Sequence, residues 1–167
     1  MKILCFSDSH GNEYYMKRAL SLHPDAEVVF FLGDGLYDVA HFVMNDKNRA
    51  WLCARGNCDT AVRVGCMEAP KTASITLCGK KIVYTHGDLY GVKYGTDGLK
   101  LLAEREGADI VLFGHTHIPH ESYIPNEHGG VYLFNPGSIG ECYPAPRSFG
   151  VITIDEKTLL LSHGSFT

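Results

Sequence analysis

Five short apolar runs, each ending in an aspartate, asparagine or histidine, constrain this chain more than any other feature. Lys2-Ile3-Leu4-Cys5-Phe6 leads into Ser7-Asp8-Ser9-His10, and Val28-Val29-Phe30-Phe31-Leu32 leads into Gly33-Asp34. Trp51-Leu52-Cys53-Ala54-Arg55 is followed by Gly56-Asn57-Cys58-Asp59, and Lys81-Ile82-Val83-Tyr84-Thr85 by His86-Gly87-Asp88. Ile110-Val111-Leu112-Phe113-Gly114 ends in His115-Thr116-His117. Short continuous apolar runs of this kind read as buried strands. In α/β sheets, ligands bind at the edge formed by the carboxyl ends of such strands.

The intervening segments predict helices and hairpins. Asn12 is placed to cap a helix through about Ser21, in which Tyr15, Met16, Ala19 and Leu20 follow i, i+3, i+4 spacing. A second helical stretch lies near Asp38 to Met44, and a third runs from Asp97 to Glu106, where Gly107 ends it. Beyond residue 70 the pattern changes: Ala73 to Leu77 and Lys81 to Thr85 flank Cys78-Gly79-Lys80 as a hairpin. Val131 to Phe134, Gly150 to Ile154 and Thr158 to Ser162 read as late strands, the last two joined by a tight turn at Asp155-Glu156-Lys157. This order predicts an α/β fold with two mixed sheets packed together under helices. No repeat or linker interrupts it, so residues 1–167 are expected to form one domain.

Charge and length remove several classes of function. The formal net charge of −4 offers no basic field to replace phosphate counterions, which excludes a nucleic-acid-coating protein. The apolar run after Met1 stops at Phe6, too short for a secretion signal, and the longest apolar runs fall far below membrane-spanning length. A cytoplasmic protein without membrane association is expected. Six cysteines, at 5, 53, 58, 66, 78 and 142, lack CxxC or CxxH spacing and are expected to be reduced and mostly structural.

Spacing turns the strand ends into a candidate metal centre. Asp8/His10 and His115/His117 are i, i+2 pairs, whose side chains point the same way in an extended chain. Gly33, Gly56, Gly87 and Gly114 allow the backbone to turn sharply beside them. A single strand-end aspartate is more often a turn or helix cap, so the weight falls on the conjunction. Seven ligands emerge: Asp8, His10, Asp34, Asn57, His86, His115 and His117. Seven exceed the needs of one four-coordinate ion and suit two ions sharing a carboxylate. Imidazole, carboxylate and amide oxygen without thiolate favour Mn, Fe, Zn, Ni or Co. Two carboxylates cannot neutralise two divalent cations, so such a site attracts phosphate oxygens and acidifies bound water.

These residues resemble the calcineurin-like metallophosphoesterases, whose motif series is DxH, GD, GNH followed by Asp or Glu, a later His, and GHxH. Asp8-Ser9-His10, Gly33-Asp34, Gly56-Asn57-Cys58-Asp59, His86 and Gly114-His115-Thr116-His117 match in order, and Asn135-Pro136-Gly137-Ser138 matches a later loop. The length and the cysteine in GNCD are most similar to the YfcE-like phosphodiesterase subfamily. The resemblance implies a four-layer α/β/β/α sandwich and a dinuclear centre, with manganese foremost. By position, metal 1 would take Asp8, His10, Asp34 and His117, and metal 2 would take Asp34, Asn57, His86 and His115. It further implies in-line attack on a small phosphodiester by a hydroxide bridging the metals.

Two departures bear on the substrate. Cys58 stands where the family carries a proton-donating histidine, and a thiol is a weak donor. The catalytic set is then Asp34, Asn57, Cys58 and His86, and leaving groups that depart as anions are favoured. His120 is read either as a substitute acid or, the favoured reading, as a solvated loop histidine, and Asp59 reads as a helix N-terminal carboxylate. GDGLYDVA lacks the arginine of the GDxVDRG motif of the protein Ser/Thr phosphatases, so a phosphoprotein substrate is not expected. Arg55 is left between substrate contact and surface residue, and Tyr90, Tyr94 and Tyr143 between site, interface and core. Competing readings are a phosphomonoesterase or nucleotidase, and a non-catalytic scaffold like the small retromer subunit. A homo-oligomer stays open.

Overall fold

The computed structural model describes residues 1–60, 63–65, 67–127 and 129–166. In chain order the elements are β1 (Lys2–Phe6), α1 (Tyr14–Leu22), β2 (Val28–Phe31), α2 (Leu36–Asn45), β3 (Ala50–Cys53), β4 (Arg63–Val64) and β5 (Met67–Glu68). They continue with β6 (Thr72–Leu77), β7 (Lys80–Thr85), a 3₁₀ turn (Asp88–Tyr90), α3 (Asp97–Glu106), β8 (Ile110–Leu112), β9 (His120–Ile124), β10 (Val131–Asn135), β11 (Arg147–Ile154) and β12 (Leu159–Phe166).

Two five-stranded mixed sheets form, in the orders β12-β11-β1-β2-β3 and β6-β7-β8-β10-β9, with β4-β5 a separate hairpin. In the first, β1, β2 and β3 are parallel. In the second, β7, β8 and β10 are parallel. Each apolar run buries both faces because alternate side chains serve different cores. Ile3, Cys5, Val28 and Phe30 point inward to Ile82, Tyr84, Ile110, Leu112 and Phe134 of the second sheet. Leu4, Phe6, Val29 and Phe31 point outward to Met16 and Ala19 of α1 and Leu36 and Val39 of α2. On the far side Val83, Val111 and Leu133 meet Leu99, Leu102 and Ala103 of α3. The result is the expected four-layer α/β/β/α sandwich.

Local differences from the sequence reading have physical causes. Asn12 stands one residue before the N-cap position, which Glu13 occupies; its Oδ1 still accepts from Tyr14 N–H, the first of α1, at 3.3 Å, while its amide nitrogen donates to Gly140 O at 3.1 Å. That asparagine is used to tie two loops together. β9 was not anticipated, because its edge position leaves alternate residues half-exposed and no continuous apolar run results. The hairpin at Cys78 falls where the sequence placed it, with Cys78 at φ 48° followed by Gly79 at φ 76°, the pattern of a two-residue hairpin turn. Cys5, Cys53, Cys58, Cys78 and Cys142 are free, and two of them, Cys58 and Cys142, are exposed rather than structural; Cys66 lies outside the described residues. Among the described residues no helix is long and apolar enough to cross a membrane.

The two-sheet interface should dominate stability. Phe30 is fully buried and meets the Tyr84 ring edge-on at 5.2 Å between centroids. Phe30→Ala should cost about 3–5 kcal/mol in urea unfolding. Tyr37→Ala, at a side chain 91% exposed, should stay within about 0.5 kcal/mol.

Candidate metal centre

The strands deliver their polar residues through left-handed turns. Six non-glycine residues have positive φ among those described, and five are predicted ligands: Asp8 (56°), His10 (43°), Asp34 (57°), His115 (69°) and His117 (60°). This corrects the expectation that each i, i+2 pair lies in extended chain. The convergence is real, but it comes from backbone reversal after the strand ends. Aspartate and histidine are among the residues that enter this region most readily.

Backbone bonds hold the turns. Asp8 N–H donates to Gly33 O at 2.9 Å, His10 N–H to Asp34 O at 3.2 Å and Gly114 N–H to His86 O at 2.9 Å. Asp59 is the main clamp. One of its oxygens accepts from Gly35 and Leu36 at the start of α2, at 2.9 and 2.8 Å, and the other from Asp34 and Gly56 at 2.8 and 2.9 Å. It therefore is a helix N-terminal carboxylate, and it also locks the Asp34 loop to the Asn57 loop. Gly56 lets them meet, since a Cβ there would lie 2.0 Å from Asp34 Oδ1. On the other side the buried Asn135 amide donates to Gly114 O and Thr116 Oγ1, at 2.9 and 3.0 Å. Ser138 Oγ donates to Asp8 O at 2.7 Å.

Two adjoining groups of ligands result. Asp8, His10 and His117 form one, and Asp34, His86 and His115 the other. In the first, His117 Nδ1 donates to Glu141 Oε2 at 2.8 Å, which turns the Nε2 lone pair toward Asp8 Oδ1 at 3.2 Å and His10 Nε2 at 3.2 Å. In the second, His86 Nδ1 donates to Leu32 O at 2.8 Å. Its Nε2 then faces His115 Nδ1 at 3.1 Å, Asn57 Oδ1 at 3.2 Å and Asp34 Oδ2 at 3.3 Å. A partner on the far ring nitrogen that fixes the tautomer is the usual support of a metal-bound histidine. Asp34 also groups with His10 and Cys58, so it reaches both sides.

The donor set fits cations. Asp8 Oδ1 is buried without a hydrogen-bond partner, and imidazole nitrogens of His117, His10 and His86 stand 3.2, 3.8 and 4.0 Å from it. Such a crowd of acceptors is costly unless positive charge joins it. Burial opposes the charged form of Asp34, yet the His86 bond and charge and the Cys58 N–H outweigh it and hold the carboxyl well below its usual range. Burial likewise disfavours charge on His86, and the bond to Asp34 with the charges of Asp8 and Asp34 reverses it, raising its pKa. His117 is raised by the Asp8 carboxylate 3.2 Å from it, against burial, with help from Glu141.

All seven predicted ligands are thus brought to one end of the sandwich. Cys58 is there too, exposed, with its sulfur 3.3 Å from Asn57 Nδ2, an arrangement that leaves Asn57 Oδ1 toward His86. His120 is not at the centre: it lies on β9, bonded to Ser122 Oγ at 2.9 Å. Arg55 is half-buried, its Nε without a partner among the described residues. Tyr90 packs against the α3 core and bonds Thr72 Oγ1 at 2.9 Å, whereas Tyr94 and Tyr143 are 98% and 83% exposed. Glu141, the partner of His117, was missed by the sequence reading, because nothing in its spacing marks it.

Residues 1–157 match the family model of the calcineurin-like phosphoesterase superfamily domain. The chain is 30% identical to the probable metallophosphoesterase YsnB of Bacillus subtilis, over 93% of this chain and 85% of that one. It is 29% identical to phosphodiesterase YfcE of Escherichia coli K12, over 96% and 91%. Among solved structures, a Vps29 from Entamoeba histolytica superposes over the whole of both chains with a TM-score of 0.76 at 18% identity, a likeness of fold.

Two substitutions probe the centre. Glu141→Ala should weaken metal binding at the Asp8, His10 and His117 group about 10–100-fold and spare the Asp34, His86 and His115 group, read by metal titration of the metal-free protein. Asp34→Asn should weaken both. Because the raised pKa values of His86 and His117 make protons stronger competitors for a cation, apparent affinity should rise with pH, and metal addition at lower pH should release protons into weak buffer.

Proposed function

The chain belongs to the calcineurin-like phosphoesterase superfamily, and on that premise we propose that it is a metal-dependent phosphodiesterase acting on small phosphodiesters. The observation that carries this reading is the completeness of the centre: six liganding side chains in two adjoining groups, with Asp34 reaching both, and Asn57 Oδ1 as a seventh donor 3.2 Å from His86 Nε2. We assign one divalent ion to Asp8, His10, Asp34 and His117, and a second to Asp34, Asn57, His86 and His115. Manganese is our first choice, with Zn, Fe, Ni and Co as alternatives. Bound ions of this kind supply Lewis-acid charge for phosphoryl oxygens and a water acidified toward neutrality.

The chain's own residues set the conditions for that chemistry. Leu32 O and Glu141 hold the Nδ1 protons of His86 and His117 and so keep both rings oriented. Cys58 determines what is available to a leaving oxygen. Burial first, then the Asp34, Asp59 and Asp8 carboxylates, push its thiol up to about 11, so Sγ keeps its proton near neutral pH. A thiol gives it up less effectively than an imidazolium, which favours aryl and other activated esters. A single domain over residues 1–167 and a cytoplasmic setting belong to the same proposal, the second supported by the free state of the five described cysteines.

The fold likeness to Vps29 supports a second reading, a non-catalytic scaffold. Ligand completeness favours the enzyme. With Mn²⁺ supplied, bis-p-nitrophenyl phosphate should turn over faster than p-nitrophenyl phosphate. Faster monoester hydrolysis would make the protein a phosphomonoesterase or nucleotidase, and failure to bind or load any transition metal would leave the scaffold. Cys58→His should accelerate poor alkyl leaving groups, by up to about 10²-fold, more than good aryl ones. An equal effect on both would remove Cys58 from the acid position.

A further inference from the structure

A cavity of about 490 Å³ opens beside the metal centre, between residues 92–96 and the loop that carries His115 and His117. Val92 and Phe113, both buried, and Ile118, about half exposed, give it an apolar wall. Thr116 also lines it, and the Thr116 hydroxyl accepts from the Asn135 amide at 3.0 Å, which fixes the wall next to both ligands. Lys93 stands on the rim, near enough for its charge to act on His115. His120, the remaining polar ring, has its pKa lowered by burial and by His163, so it is neutral near pH 7. Lys93 is therefore the cation among the described residues lining this cavity. A space of about 150 Å³ already admits a benzene ring, so this one has room for a ring with a substituent.

We propose that this cavity is the subsite for one alcohol substituent of the substrate: a flat apolar ring held by Val92, Phe113 and Ile118, carrying an anionic group that pairs with Lys93. The proposal rests on the phosphodiesterase reading for the position of phosphorus at the metal centre. It names a substrate class, an aromatic phosphodiester with a second negative charge on the ring side. The apolar wall stabilises the ring by removing it from water, and the ammonium adds a charged contact at the mouth.

The test uses three non-hydrolysable probes, methyl-, phenyl- and 3-carboxyphenylphosphonate, titrated calorimetrically into the Mn²⁺-supplied protein. Affinity should rise about tenfold from methyl to phenyl and about tenfold again with the carboxylate. Lys93→Ala should abolish only the carboxylate step, and Ile118→Asn should abolish mainly the phenyl step. Methylphosphonate should bind alike in all three proteins. Equal binding of the three probes, binding of none, or a ranking that neither variant alters would overturn the subsite. Diester turnover is measured alongside. A wild-type protein that ranks the probes as expected but hydrolyses no diester would remove the phosphodiesterase reading and leave the ring-and-anion subsite standing.

Discussion

Five aspartate and histidine side chains are held together by backbone that an L-residue rarely adopts, and most of the architecture around them offsets that strain. Left-handed conformations cost on the order of 1–3 kcal/mol each and persist only where the surroundings over-determine them. Here the surroundings are two sheets whose parallel strands end at the same place. Asp8 follows β1, Asp34 follows β2, His86 follows β7 and His115 follows β8. The sandwich core between the sheets brings those ends together, so core packing and site geometry are one problem.

The clamp residues bear the rest of the strain. Asp59 accepts four backbone N–H groups from two loops and the first turn of α2. Asn135, Ser138 and Asn12 join the remaining loops to one another. These are hydrogen bonds to backbone rather than to other ligands, and they leave the ligand lone pairs free to face inward. The same feature explains the electrostatics. Carboxylate, amide and imidazole acceptors converge there, Asp8 Oδ1 has no hydrogen-bond partner among the described residues, the Asp34 pKa is lowered and those of His86 and His117 are raised, all of which signals a place built for positive charge.

Much of this was legible in the amino-acid order. The five apolar runs ending in Asp, Asn or His located the site edge, and the hairpin, α3 and the parallel strands fell near their expected bounds. Where reading failed, long-range bonds decided. Asn12 serves Gly140 as well as the first N–H of α1, because the loop after β10 passes beside it. Leu36 begins α2 because Asp59, far along the chain, satisfies its first N–H groups. β9 escaped notice because an edge strand half in solvent carries no continuous apolar signal. Glu141 escaped because its partner, His117, is near only in space.

By itself the sequence determined which side chains meet and at which edge, since buried strands with polar ends have few ways to pack and each ligand sits at a strand terminus. Tertiary structure decided how they meet. It set the backbone reversals that aim them, the tautomers of His86 and His117, and the sulfur–amide contact that turns Asn57 Oδ1 toward His86. Those are matters of angle and of partners distant in the chain. Residue spacing carries no record of either, because hydrogen bonds of this kind form only after the two sheets have closed.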